Sequence, residues 1–203
     1  MAITMKDRLG SRSFGHVATL AKLSISDIDI DIEKSRELKN TFNIILDHFS
    51  NKPMRGGCHF YSAAMYILLE EQDINSQLVI GMVKDEAFPV SFSHSWLEID
   101  GEVFDIAIMF PHYMDGQPPV FASVDLDTSE KTLRRYGLGK NLRKDDKSGL
   151  NALNLSISDY LDGYPQGKDF LWREILRMGK RIFKGKTIQD LREKYNDKSR
   201  VLK

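Results

Sequence analysis

Asp100-Gly101 stands between two runs of mixed apolar and polar character, Ser93-His-Ser-Trp-Leu-Glu-Ile99 and Glu102-Val-Phe-Asp-Ile-Ala107. A two-residue Asp-Gly link favours a type I′ turn, whose twist matches that of the strands it joins. An antiparallel hairpin is therefore expected, and the turn fixes its register. Ile99 should face Glu102, Trp96 should face Asp105 and His94 should face Ala107. Residues two apart on a strand share a face, so His94 and Asp105 become diagonal neighbours about 5.5–8 Å apart at the backbone. Leu97 and Phe104 should pair on the opposite face.

Other segments supply partners for this hairpin. Gln77–Val83 reads as a buried strand. Leu38, Phe42, Ile45, Leu46 and Phe49 recur at helical spacing, which predicts a core-facing helix over Glu33–Phe49. Asn51–Gly57 is rich in breakers, and a second helix is expected over Cys58–Gln72. Ser24–Ile32 alternates apolar and polar residues, a strand signal, although aspartate is a poor strand former. Asp127 with Glu130 suggests a capping box for a short helix closed by Gly137. Gly139–Gly149 reads as a mobile polar loop. Asp169–Phe183 is amphipathic, and Thr187 with Asp190 marks the start of a last helix. These elements imply a single α+β domain over residues 1–203. Residues 1–24 are expected to be loosely held and 168–203 to form a basic helical extension.

Composition narrows the function classes. Hydrophobic residues make up 41% of the 203, enough for a core without covalent staples. Twenty-nine basic residues balance 29 acidic ones, which argues against capture of nucleic acid or membrane by the whole chain. Charge is unevenly spread, however. Lys168–Lys203 holds twelve basic and five acidic residues, a net +7 that leaves −7 on the remainder. That tail either docks on an acidic body or receives an acidic partner. The longest apolar runs, such as Met65–Leu69 and Ile106–Pro111, fall far short of the ~20 residues a membrane span needs. No secretory signal pattern opens the chain, so a cytoplasmic location is expected. Cys58 is the only cysteine, which excludes an internal disulfide and any multi-cysteine zinc site. His16, His48 and His112 lie in separate segments without metal-ligand spacing, so neither a metal nor a cofactor is expected.

Cys58 follows Gly56-Gly57 and opens a predicted helix. Unsatisfied backbone N–H groups and the positive end of the helix dipole both favour thiolate over thiol there. A lone cysteine also fits a buried small hydrophobe, and the hairpin is what tips the balance. His94 could take the thiol proton, and Asp105 could fix the imidazole tautomer and stabilise the imidazolium. The Cys58 backbone N–H is a natural oxyanion donor, and Gly57 would let a substrate backbone come close. Trp96 fits either a substrate platform or the core. His59 fits the surface, since helix periodicity turns it away from Cys58.

Gly56-Gly-Cys58 before a helix, Leu78-Val-Ile-Gly-Met-Val83, His94-Ser-Trp-Leu-Glu98 and Asp100-Gly-Glu-Val-Phe-Asp105 together resemble the transglutaminase-like superfamily. The pattern is similar to that of small bacterial members, including the leader peptidases that process lasso-peptide precursors. The resemblance implies a papain-like arrangement, with a helix-borne Cys facing a His and an Asp on a sheet. It assigns Cys58 as nucleophile, His94 as general base and acid, and Asp105 as the orienting carboxylate. Cross-linking transglutaminases often carry Gln-Cys-Trp where this chain reads Gly57-Cys58-His59. Arg55-Gly-Gly-Cys58 also resembles, one residue short, the Arg-Gly-Gly-x-Cys signature of arylamine N-acetyltransferases. The expected activity is hydrolysis of a peptide or other amide bond, with a peptide or protein as substrate. Acyl transfer or deamidation on the same three residues stays open, as does a binding protein that keeps the fold without catalysis.

Overall fold

Asp100 and Gly101 adopt φ values of 51° and 84°. Both lie in the left-handed region a type I′ turn requires, and glycine enters it without steric cost. The turn joins β2 (Phe92–Ile99) to β3 (Glu102–Phe104) in the computed structural model, which describes residues 14–86, 90–111 and 116–203. Ile99 pairs with Glu102, Glu98 with Val103 and Leu97 with Phe104. The expected ladder to Ala107 stops there, so the Trp96–Asp105 and His94–Ala107 pairs do not form. Asp105 turns away because its N–H and C=O bond Val120, at 2.9 and 2.8 Å. A 3-10 turn over Ala107–Met109 follows.

β2 pairs antiparallel with β1 (Gln77–Lys84), and β1 carries two further short strands on its other edge. The expected helix across 127–137 is replaced by a run of short strands: β4 (Val120–Phe121), β5 (Val124–Asp125), β6 (Glu130–Lys131) and β7 (Arg135–Tyr136). Glu130 pairs with Asp125 across the ladder instead of capping a helix. Arg134 then bonds Asp85 and Asp125 at 2.7 and 2.6 Å, all three side chains being buried or nearly so. β7 continues onto β1 through Val83–Tyr136.

The helical layer covers the Leu97–Phe104 face. Helix α1 (Phe14–Asp27) packs on α2 (Ser35–Asn51), which packs on α3 (Cys58–Glu70). Leu38, Phe42, Ile45, Leu46 and Phe49 are fully buried, as their spacing predicts. Each such side chain contributes roughly 1.5–3 kcal/mol of transfer free energy. Residues 14–24 are not loose: Val17, Ala18, Ala21 and Ile25 recur at helical spacing and are buried, while residues 1–13 lie outside the described part. The alternation over Ser24–Ile32 forms no strand. Asp27, Asp29 and Asp31 disfavour one, and Ile28, Ile30 and Ile32 pack on the core from irregular backbone.

Residues 139–149 are also more ordered than their polarity suggests. Leu142 is buried, and Asp146 caps α4 (Lys147–Asn154) by accepting from Gly149 N–H. After α5 (Ile157–Asp162), the basic tail forms α6 (Phe170–Met178), α7 (Ile188–Lys194) and β8 (Val201–Leu202), the last pairing parallel with β1. Thr187 and Asp190 form the expected capping box. Leu171, Trp172, Ile175, Leu191 and Tyr195 are fully buried. Lys186 and Lys194 pair with the buried Glu71, Arg192 with Asp162, and Lys203 with Glu98. The tail is thus built into the body, with many of its cations already matched.

Deleting Lys168–Lys203 should lower the melting temperature or cause aggregation, because it strips these apolar contacts and leaves Glu71 buried without its cations. An unchanged melt of a monomeric truncated chain would contradict this packing. Leu97→Ala should cost roughly 2–5 kcal/mol in urea unfolding, as expected for an emptied core site.

Candidate active site

Helix α3 begins at Cys58 and has no side-chain cap on its first turn. Its start is fixed by the preceding glycine. A Cβ on Gly57 would lie 3.0 Å from both the Met54 carbonyl oxygen and the Tyr61 ring, so a larger residue there would have to push these neighbours back. Gly57 is itself buried. Cys58 keeps intermediate exposure and opens onto a cleft of about 900 Å³. His59, Phe92, His94, Ala107 and Pro111 line the same cleft, with Arg143 and Asp145 at its charged wall.

His94 is buried on β2, and its Nε2 lies 2.7 Å from Asp105 Oδ2. The two residues meet as their shared sheet face predicts, although the ladder between them has ended. Asp105 Oδ2 also accepts from the Tyr136 hydroxyl at 3.0 Å, and Oδ1 accepts from Ile108 N–H at 3.2 Å. Burial and the neighbouring Asp105 charge hold the Tyr136 phenol well above its ordinary pKa, so it stays a donor. With Nε2 committed to Asp105, Nδ1 is the His94 nitrogen available to the thiol.

The electrostatics separate the two members of the pair. Burial pushes the Cys58 thiol up, but the His59 and His94 imidazoles, through charge and hydrogen bonds, outweigh it and hold the thiol well below its usual range. Burial pulls His94 down, yet Asp105 and Cys58 outweigh that effect and raise it well above an ordinary imidazole. The thiolate and imidazolium are therefore both favoured across the pH range between the lowered thiol and the raised imidazole.

Residues 1–111, which include Cys58, His94 and Asp105, match the family model described as the transglutaminase-like superfamily. The chain belongs to that superfamily. No curated protein and no solved structure matches it. Among the described residues, no helix of this superfamily member is long and apolar enough to cross a membrane.

Two expectations about side chains change with the structure. Trp96 is fully buried among Val79, Val83 and Tyr136 and does not line the cleft. His59 is not on the surface: it is 5% exposed, with Nδ1 2.7 Å from Ser95 Oγ. Helix α3 is buried on almost every side, from His59 through Leu69, so beyond the cleft its first turn has no surface for His59 to occupy. His48 pairs with Glu174, whereas His112 lies outside the described residues. Tyr136, Ser95 and Arg200, whose Nη2 donates to the His59 carbonyl at 2.9 Å, were not singled out by any motif.

Iodoacetamide should alkylate Cys58 at pH 7 faster than an unperturbed thiol, with the rate inflecting well below the ordinary value of about 8.5. The rate should fall as acid protonates the thiolate. Mass spectrometry across a pH series reads this directly, and an inert cysteine would contradict the electrostatic picture.

Proposed function

We propose that this protein hydrolyses peptide or other amide bonds through an acyl-enzyme on Cys58. The observation that carries the reading is the His94 Nε2–Asp105 bond of 2.7 Å on a histidine that lines the same cleft as the cysteine at the start of a helix. The Cys58 thiolate attacks the carbonyl carbon and forms the C–S bond. His94, as imidazolium, gives its proton to the departing nitrogen while the C–N bond breaks. Neutral His94 then takes a proton from water, whose oxygen attacks the thioester, and the C–S bond breaks to return the thiolate. Asp105 holds the ring in one tautomer and offsets the imidazolium charge. The amide N–H of Cys58, uncapped at the helix start, supplies one donor to the oxyanion. Tyr136 and Ile108 N–H keep the Asp105 carboxylate aimed at the ring. A peptide or protein is the substrate this chemistry implies.

The test is incubation with a mixture of proteome-derived peptides, read by mass spectrometry for new termini and for acyl adducts on Cys58. Cleavage should occur with wild type and vanish with Cys58→Ala. Asp105→Asn should keep the fold and lower the rate by roughly three to four orders of magnitude, because charge and tautomer control are both lost. Equal rates in wild type and a folded Asp105→Asn variant would remove Asp105 from the mechanism. Products joined to an added primary amine, in place of hydrolysed ones, would assign the same residues to acyl transfer.

A further inference from the structure

Two helix starts line the cleft: Cys58 and His59 in the first turn of α3, and Lys147 and Ser148 in the first turn of α4. Among the described residues no hydrogen bond runs directly between these helices. They are joined through Arg200. Its Nη2 donates to the His59 carbonyl and its Nη1 to the Ala152 carbonyl, both at 2.9 Å. His59 follows the nucleophile, and Ala152 stands one turn beyond Ser148 on the same face of α4. The guanidinium lies over the Tyr160 ring of α5, 4.5 Å from its centroid. The Arg200 backbone is anchored as well. Val201 and Leu202, which follow it, pair with Val79 and Ile80 of β1, the neighbour of the strand that carries His94. One side chain thus ties the sheet, the thiol helix and α4 together.

Stability alone does not account for an arginine here. Arg200 is 4% exposed, and its partners are two carbonyls and a ring, with no carboxylate among the described residues to balance the charge. Its Nε is buried without a partner. Burial pulls the guanidinium down to about 10, so it is a cation at neutral pH in a site that disfavours one. Apolar side chains of similar volume often fill such places at lower cost. What a guanidinium supplies instead is a planar fork of donors, which fixes the groups it reaches relative to one another.

We propose that Arg200 is a positioning residue of the substrate cleft: its fork holds the first turn of α3, with Cys58, at a fixed separation from α4, along which an extended peptide lies. This rests on the reading of Cys58 as the nucleophile. Arg200 is not among the lining residues and acts from behind them, through the two carbonyls. The thiol and its histidine depend on it less. Cys58 is placed by the buried body of α3, and His94 by the sheet and Asp105. Loss of the fork should therefore weaken the grip on a peptide and leave the reactivity of the sulfur nearly unchanged.

The experiment compares two reagents on the full chain, with circular dichroism to confirm folding. Iodoacetamide needs only the thiolate, whereas a tri-alanyl chloromethyl ketone must also lay its peptide along the cleft. In both, the sulfur attacks the methylene carbon, the C–S bond forms, and the halide leaves with the electrons of its own bond. Intact-mass spectrometry follows each adduct. Arg200→Lys keeps the charge but presents one ammonium, which lacks the fork that reaches two carbonyls. In Arg200→Ala and Arg200→Lys the chloromethyl ketone rate, taken relative to the iodoacetamide rate, should fall about tenfold, the worth of one charge-assisted hydrogen bond. The loss should lie in the inhibition constant, with the limiting inactivation rate and the iodoacetamide rate held within about threefold of wild type. A merely structural role would lower the melting temperature and leave the ratio of rates where it was. An unchanged or raised ratio in folded Arg200→Ala overturns the proposal. If that variant does not fold, Arg200→Lys decides by the same criterion. A wild-type ratio in Arg200→Lys beside a loss in Arg200→Ala assigns the effect to charge and also overturns it. An inert Cys58 in the wild type is a different failure, because it removes the nucleophile itself.

Discussion

Asp105 lies where the main sheet gives way to the smaller one, and its carboxylate is buried while accepting three hydrogen bonds. Its backbone bridges Val120 of β4, and its side chain binds His94 of β2, Tyr136 of β7 and the amide of Ile108. A buried carboxylate without these donors would cost several kcal/mol, on the order of the penalty for an unpaired internal ion. The bonds therefore constrain one another: β7 must reach β1, and the chain must leave the hairpin after Phe104. The histidine ring is fixed as a consequence of the same geometry.

The helix side of the site depends on close approach. Gly57, as N-cap of α3, lets the chain pass close to Met54 and Tyr61 just before Cys58. The remainder of α3 is so thoroughly buried that its position is set by the core, with Phe60, Ala63, Ala64, Ile67 and Leu68 all inaccessible. Core packing thus places the thiol, and the sheet places the imidazole. The tail acts on both. Tyr195 and two lysines close over Glu71 at the far end of α3, while Arg200 holds the His59 carbonyl at its near end.

These arrangements favour a thiolate and an imidazolium at the edge of the cleft. Two opposite charges in a poorly hydrated site stabilise each other more strongly than they would in water. The helix start supplies unpaired N–H groups to the anion, and Asp105 balances the cation. Membership of the transglutaminase-like superfamily fits a chain that sets Cys58 at a helix start in the same cleft as His94.

Local signals determined much of this by themselves. The Asp100-Gly101 turn, the buried face of α2, the helix opening at Cys58 and the Thr187–Asp190 capping box each depend on residues close together in the chain. The common face of His94 and Asp105 was legible for the same reason, since strand alternation carries a short way past the turn. What failed was whatever distant partners decide. Asp105 left the hairpin because Val120 competed for its backbone, and Glu130 joined a strand because Asp125 lay opposite. The alternating Ser24–Ile32 segment gave way to a helix end and irregular chain because α1 buried its own apolar stripe on α2. His59 pointed inward because α3 is enclosed on nearly all sides, a fact that helix periodicity alone does not contain. Tyr136 and Arg200 lie outside every motif, no motif marks Ser95 as a partner of His59, and only tertiary packing could bring 31, 36 and 141 residues of separation down to hydrogen-bond distance, counting Tyr136 from Asp105, Ser95 from His59 and Arg200 from His59.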